Sequence, residues 1–211
     1  MQRVEICGGI AAGKTSLARC LTHNGAGRLI EERFREVPFW EKFYAAPQVY
    51  AFEKNVSFLL FHADSIGDIM QLNDQRLAIC DFAMFQDLAY ASLGAASADL
   101  HIVRPIYDKL IKRIGFPSLI VKLNCAPETQ LERIRRRARP QEKSIEMSYL
   151  VELGAKIEED LIKLKEEQEI AVVEIDTDET DFVTNPQATA ISFYIERHLK
   201  ELEREERDQT R

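Results

Sequence analysis

Residues 4–17 read Val-Glu-Ile-Cys-Gly-Gly-Ile-Ala-Ala-Gly-Lys-Thr-Ser-Leu, and this stretch decides the fold. Gly8, Gly13, Lys14 and Thr15 occupy every fixed position of the phosphate-loop pattern G-x-x-x-x-G-K-[ST]. An apolar, strand-like run precedes the loop and a helix-like run follows it, which is the context that the pattern requires. The stretch predicts a site for the phosphates of a nucleoside triphosphate and leaves open what happens to the γ-phosphate.

The chemistry of phosphate binding explains these residue types. Glycines let backbone N–H groups curl around phosphate oxygens, and the positive end of the following helix points at the same anion. Lys14 adds a positive charge near the β- and γ-phosphates, and Thr15 offers a hydroxyl to Mg²⁺. The residues expected to contact the donor are Gly8, Gly9, Ile10, Ala11, Ala12, Gly13, Lys14, Thr15 and Ser16.

Composition indicates an ordinary globular protein and argues against several partners. The chain has 211 residues, 45% of them apolar and 30% charged, which suggests one domain. A net charge of −7 disfavours bulk attraction to nucleic acid or an anionic membrane, and no apolar run is long enough to span a bilayer. The N-terminus has no signal-peptide pattern. Cysteines without C-x-x-C spacing indicate free thiols in a reducing cytoplasm: Cys7, Cys20, Cys80 and Cys125.

Short β-like runs alternate with longer helical ones along the chain. The predicted strands are Arg3–Cys7, Arg28–Glu31, Leu77–Asp81, Leu119–Leu123 and Ala171–Asp176. Besides the helix after the loop, the predicted helices run from Pro47 to about Leu72, Pro127 to about Ala138, Met147 to Glu167 and Pro186 to about Leu202. This order predicts a three-layer α/β fold with a five-stranded parallel sheet, in one domain over residues 1–211. Residues from about 203 to 211 are expected to fray.

Carboxylates follow two of the predicted strands. Asp81 ends an apolar run, where phosphate-loop proteins hold an acid near Mg²⁺; the alternative is an aspartate that caps the following helix. Glu31 and Glu32 follow the second strand, and a carboxylate there can accept a proton from an attacking hydroxyl. The alternative for this pair is a solvated charge.

Five arginines form a basic island in an acidic protein: Arg133, Arg135, Arg136, Arg137 and Arg139. Arg133 and Arg137 share one helix face, and phosphoryl transfer needs cations on the transferring oxygens. A solvated basic face and a nucleic-acid patch are the alternatives. No N-K-x-D run appears at the fourth strand, which argues against a GTP-specific switch. A small-molecule kinase is therefore the best general interpretation.

Several segments together resemble the deoxynucleoside kinase family, especially its shorter bacterial deoxyadenosine/deoxyguanosine-type members. The resemblance covers nearly the whole chain, and residues 126–150 carry it most strongly. They read Ala-Pro-Glu-Thr-Gln-Leu-Glu-Arg-Ile-Arg-Arg-Arg-Ala-Arg and continue through Glu142 to Ser-Ile-Glu-Met-Ser-Tyr-Leu. They look like the family's arginine-rich lid, here at about 135–145, and its following helix.

The resemblance implies roles for residues around the acceptor sugar. The family's catalytic base falls on Glu32, although Arg33 replaces the usual proline and the register could slip to Glu31. Residues 39–44 resemble the segment that places a tyrosine on the sugar 3′-hydroxyl, which would be Tyr44. The lid carboxylate that shares this hydroxyl would be Glu142.

Residues 50–55 resemble the family's Y-A-F-x-x-Q run, whose glutamine reads the base edge. Asn55 replaces that glutamine with a side chain that is one methylene shorter. Asp87 matches a second base-reading position. His62 lies where the family varies with base choice; an ordinary histidine on a helix face is the alternative.

The sequence departs from the family at Asp81-Phe82-Ala83, where the family has D/E-R-S. Phe82 cannot donate a hydrogen bond as the family's arginine does, so the expectation is that either a lid arginine substitutes or activity is weak. We nevertheless expect a kinase that moves the γ-phosphoryl of ATP to the 5′-hydroxyl of a deoxynucleoside. In this scheme Glu32 is the base, Thr15 and Asp81 hold Mg²⁺, and the charge is neutralised by Lys14, Arg133, Arg137 and Arg139.

The resemblance also implies a homodimer, while the net charge argues against a nucleic-acid or membrane partner. Two rival functions stay open at this point. A nucleoside monophosphate kinase would share the loop and lid but would need cations for an acceptor phosphate. A nucleotide-binding protein without catalytic activity finds its best support in Phe82.

Overall fold

Five segments rich in apolar residues form one parallel sheet in the computed structural model. The residues that it describes are 2–23, 27–72, 76–180, 182, 191, 193–195, 197–201 and 204. The strands are β1 (Arg3–Gly8), β2 (Gly27–Ile30), β3 (Leu77–Cys80), β4 (Leu119–Asn124) and β5 (Ala171–Asp176). They lie in the order β2-β3-β1-β4-β5, with Val4 of β1 opposite Ile79 on one side and Leu119 on the other. The predicted five-stranded parallel sheet is confirmed.

The strand ends differ slightly from the prediction, for a reason that matters to the site. Asp81 and Glu31, predicted to end their strands, lie just beyond them. The Asp81 N–H donates to the Ile30 carbonyl, and the Asp81 carboxylate accepts a hydrogen bond from the Glu32 N–H. These side-chain and backbone bonds replace the regular ladder and bring the two chain segments together.

Helices connect the strands. They are α1 (Lys14–His23), α2 (Trp40–Ala45), α3 (Pro47–Gln71), α4 (Gln86–Ala91), α5 (Leu100–Ile114), α6 (Pro127–Arg137) and α7 (Met147–Gln168). The predicted starts of α3, α6 and α7 are correct, and the sequence analysis named no helix at α2, α4 or α5. The predicted start at Pro186 lies outside the described residues, as does all of the expected frayed tail except residue 204. The described residues between 191 and 204 are helical.

Alternating side chains of the strands pack into apolar clusters on the two faces of the sheet. Ile6 of β1 packs with helix α1, whereas its neighbour Cys7 packs with α3, α4, α5 and α7. All six residues of β1 are buried, so helices cover the central strand on both faces. The predicted three-layer arrangement is therefore confirmed. Because the strands are parallel, their carboxyl ends meet at one edge, where the loops after them build a common site.

Candidate active site

A cavity of about 1190 Å³ opens at the carboxyl edge of the sheet. It is somewhat larger than the usual range for a pocket that binds one small molecule. Every site residue predicted from the sequence lines it, with the exception of Gly8 and Gly9. Those two glycines contribute the backbone carbonyls that hold Lys14.

The phosphate loop joins β1 to α1 and has the backbone geometry of an anion cradle. Gly8 and Gly13 have φ angles of 146° and 106°, which side chains rarely permit, and Ala11 adopts φ 62° at a steric cost. A Cβ at Gly8 would lie 2.8 Å from the Leu123 carbonyl oxygen. Lys14 Nζ donates to the carbonyls of Gly8 and Gly9 at 2.9 and 3.0 Å. Burial lowers the pKa of Lys14, and Glu32 and Asp81 oppose that shift.

Polar side chains that the sequence analysis missed brace this loop. Gln86 of α4 accepts from the Gly8 N–H and donates to the Gly8 carbonyl, both at 3.0 Å. Thr177, directly after β5, donates to the Ala12 carbonyl at 3.0 Å. The position of Thr177 after a parallel strand is a signal that could have found it, whereas no local pattern distinguishes Gln86.

Asp81 and Thr15 lie together beneath the loop. The Thr15 hydroxyl is hydrogen-bonded to the Asp81 carboxylate, which also accepts from the Glu32 N–H. Burial raises the pKa of Asp81, and these hydrogen bonds oppose the rise. Helix α4 begins only at Gln86 and has no side-chain cap, so Asp81 does not cap it.

This pair of oxygens fits Mg²⁺ as nucleotide sites use it. Magnesium is normally held by one or two protein oxygens together with substrate phosphates and water. One carboxylate and one hydroxyl therefore suffice if the phosphates complete the shell.

Glu32 and Glu31 have different surroundings. Glu31 forms an ion pair with Arg19 of α1, and both side chains are exposed. Glu32 Oε1 instead lies 3.6 Å from Nε2 of the buried His62. Burial alone would raise the pKa of Glu32, but His62, followed by Lys14 and Arg139, outweighs it and lowers that pKa.

His62 of α3 occupies the space beside Phe82. Their rings are stacked, with centroids 3.8 Å apart and planes inclined by 8°. His62 Nδ1 lies 2.9 Å from Oδ2 of Asp87. Burial lowers the pKa of His62, yet Asp87 and Glu32 outweigh it and raise that pKa to about 10. A cation therefore stands beside Glu32 although position 82 carries no arginine.

The predicted lid, which is helix α6 with the turn after it, places four arginines on the cavity: Arg133, Arg136, Arg137 and Arg139. Arg133 bonds the carbonyls of Ala11 and Thr177, so it ties the lid to the phosphate loop. Arg137 forms a bidentate pair with Glu142 at 2.6 and 2.7 Å, and Arg139 contacts the same carboxylate at 3.3 Å. The predicted sugar carboxylate is thus held by lid cations.

Tyr44 and Asn55, which the resemblance assigns to the sugar and the base, both line the cavity. Burial, with a smaller effect from Glu142, raises the pKa of Tyr44 to about 12, so the phenol keeps its proton and can donate. Asn55 is 2% exposed, and its Oδ1 has no hydrogen-bond partner among the described residues. A buried acceptor without a partner is costly, which suggests that a ligand satisfies it.

Comparison of the sequence with known proteins identifies the family of this chain. The sequence model for deoxynucleoside kinases matches residues 4–197. The chain belongs to the deoxynucleoside kinase family. It is 30% identical over 202 residues to a deoxyguanosine kinase of Bacillus subtilis, covering 94% of this chain and 96% of that one. This confirms the resemblance identified from the sequence.

Two further matches extend the comparison. A deoxyadenosine kinase of Dictyostelium discoideum is 28% identical over 158 residues, covering 71% of this chain and 62% of the relative. The structure of a deoxyadenosine kinase from M. mycoides with bound dCTP superposes with a TM-score of 0.75. It is 19% identical and covers 93% of this chain and all of that one, so it supports the shared fold.

Proposed function

We propose that this deoxynucleoside kinase transfers the γ-phosphoryl group of ATP to the 5′-hydroxyl of a deoxynucleoside. The proposal rests on the observation that the phosphate loop and Glu32 line the same cavity. A phosphoryl donor and an alcohol acceptor can therefore occupy the same cavity. Family membership supports a nucleoside as the acceptor.

The donor half rests on the loop and the lid. Backbone N–H groups of residues 9–15 would bind phosphate oxygens, and Lys14 would exchange its carbonyl contacts for the β- and γ-phosphates. Thr15 and Asp81 would hold Mg²⁺, which supplies neutralisation of the phosphate charge. Arg137 and Arg139 would add positive charge when the lid closes.

The acceptor half rests on Glu32. Its lowered pKa keeps it ionised at neutral pH, so it can take the 5′-hydroxyl proton as that oxygen attacks. His62 holds the carboxylate in place from its buried side. Tyr44 and Glu142 would bind the 3′-hydroxyl, and Asn55 and Asp87 would face the base.

Substitution of Glu32, compared with the same substitution of the adjacent Glu31, tests this proposal. Glu32→Gln removes the base but keeps size and polarity, so kcat should fall at least 100-fold with little change in ATP binding. Glu31→Gln is the matched control and should keep activity within about threefold. The formation of ADP should be measured with ATP·Mg²⁺ and with panels of deoxynucleosides, ribonucleosides and nucleoside monophosphates as acceptors. Turnover of monophosphates alone, or full activity in Glu32→Gln, would contradict the proposal.

Other features of the proposal concern the surroundings of the enzyme. Among the residues that the structure describes, no helix is both long enough and apolar enough to cross a bilayer. Apolar side chains of α3 and α5 are exposed, among them Leu60, Met70 and Ile102, which supports a homodimer through these helices. We place the protein in the cytoplasm, with small molecules rather than nucleic acid as its ligands. Light scattering at micromolar concentration would test the dimer.

A further inference from the structure

Lys54 is a cation in the acceptor half of the cavity to which the proposed reaction assigns no role. It lies on α3 immediately before Asn55 and lines the cavity. Its Nζ lies 4.7 Å from the ring centroid of Phe43, 5.6 Å from that of Tyr90 and 5.7 Å from that of Phe58. No hydrogen bond or ion pair joins it to another described residue, so its N–H donors are available to a ligand.

The polar groups near Lys54 are of the opposite kind. Asn55 Oδ1 is a buried acceptor without a partner. Asp87 Oδ2 is hydrogen-bonded to His62, and an ionised carboxylate can only accept hydrogen bonds. The wall that would face a base therefore combines a charged donor at Lys54 with acceptors at Asn55 and Asp87.

Nucleobases fall into two classes at the edge that such a wall would meet. Guanine, hypoxanthine, thymine and uracil carry a lactam, in which a carbonyl acceptor adjoins a ring N–H donor. Adenine and cytosine carry the reverse, an amino donor beside a ring nitrogen acceptor. An ammonium group cannot accept a hydrogen bond and a carboxylate cannot donate one. The lactam is complementary to both groups, whereas the amino edge opposes donor to donor and acceptor to acceptor.

We propose that Lys54 makes this enzyme selective for nucleosides with a lactam base, whose carbonyl accepts from Lys54 while the ring N–H donates to Asn55 or Asp87. The inference rests on the proposed function, since it concerns the acceptor of that reaction. The three aromatic rings around Nζ stabilise the cation. Asn55 alone gives no such selectivity, because an amide presents a donor and an acceptor and can turn over.

The charge state of Lys54 agrees with this role. Burial lowers the pKa of Lys54 to about 8, and Asp87 and Glu32 oppose the shift. Below pH 8 most molecules therefore carry the ammonium form. His62, the other cation of this region, is already engaged with Asp87 and Glu32 and does not replace it.

The test compares substrates that differ only at the lactam. 2′-Deoxyinosine and 2′-deoxyadenosine differ at position 6 and at the adjoining ring nitrogen, and deoxyuridine and deoxycytidine form a second pair. We expect kcat/KM at pH 7 to favour the lactam member about tenfold or more, because a mismatched buried polar group is costly. Equal or reversed preference in the wild-type enzyme would overturn the inference while leaving the kinase function intact. Absence of turnover with every nucleoside would overturn both.

Variants assign the selectivity to the residue. Lys54→Met keeps the length of the side chain and should reduce the preference below about threefold, mainly through slower turnover of the lactam substrate. Lys54→Arg keeps donors and charge and should retain the preference. Lys42→Met is the matched control, since Lys42 also lies over aromatic rings but does not line the cavity. A preference unchanged in Lys54→Met, or lost equally in Lys42→Met, would refute the role of Lys54.

Discussion

His62 shows at the scale of one residue how an expected arginine is replaced. Its ring stacks on Phe82 and lies between the carboxylates of Asp87 and Glu32. Phe82, in the loop after β3, thus stacks on a cation that comes from helix α3. The family pattern alone could not predict this, because a sequence comparison matches each position only with its equivalent. It does not show that a residue at position 62 lies beside position 82 in the fold.

The raised pKa of His62 predicts a pH dependence of stability. The folded protein holds the imidazolium proton up to about pH 10, whereas the unfolded chain releases it near pH 6.5. Its contribution is fully present below pH 6.5 and is lost as pH rises to about 10. The difference in the free energy of unfolding between wild type and His62→Gln, measured in urea, should shrink across that interval by on the order of a few kcal/mol. A difference that is constant from pH 6 to 10 would contradict the assigned charge.

At the scale of the element, the phosphate loop was predictable but its supports were not. The spacing of Gly8, Gly13 and Lys14 is local in the sequence, and it was enough to predict a phosphate loop and a nucleoside triphosphate as its ligand. Gln86 and Gln130 reach the loop from helices 78 and about 120 residues away in the chain, and only the fold brings them there. Helices α2 and α4 are six residues long, too short for a clear periodic pattern.

Two glycines of the loop should respond differently to alanine. A Cβ at Gly9 would lie 2.2 Å from Gln130 Oε1, a side-chain atom, whereas at Gly8 it would meet the Leu123 carbonyl of the backbone at 2.8 Å. Gly9→Ala should therefore weaken ATP binding less than Gly8→Ala does, and a second change, Gln130→Ala, should restore part of the loss. The same second change should not rescue Gly8→Ala. Titration calorimetry with a non-hydrolysable ATP analogue measures both; equal rescue would contradict this steric account.

Across the whole molecule, the carboxyl edge of the sheet carries the chemistry and its opposite end carries a structural ion pair. Arg3 and Glu5 of β1 are 4% and 1% exposed and lie 2.9 Å apart. Arg3 also donates to the carbonyls of Ile114 and Gly115 after α5, and Glu5 accepts from the Met84 N–H. The sequence analysis treated β1 as an apolar strand, because hydropathy does not reveal a charge that is paired only after folding.

Stability and activity should therefore separate in variants of this pair. Arg3→Met leaves Glu5 buried without its partner, and the free energy of unfolding should fall by about 3–5 kcal/mol. Neither residue lines the cavity, so the folded variant should keep kcat within about twofold at a temperature where it remains native. Lys163→Met is the control, because it breaks an exposed pair with Glu159 and should leave the free energy of unfolding nearly unchanged. A large loss of kcat without loss of stability would contradict this separation. It would mean that the start of β1 controls the geometry of the phosphate loop, which follows the same strand.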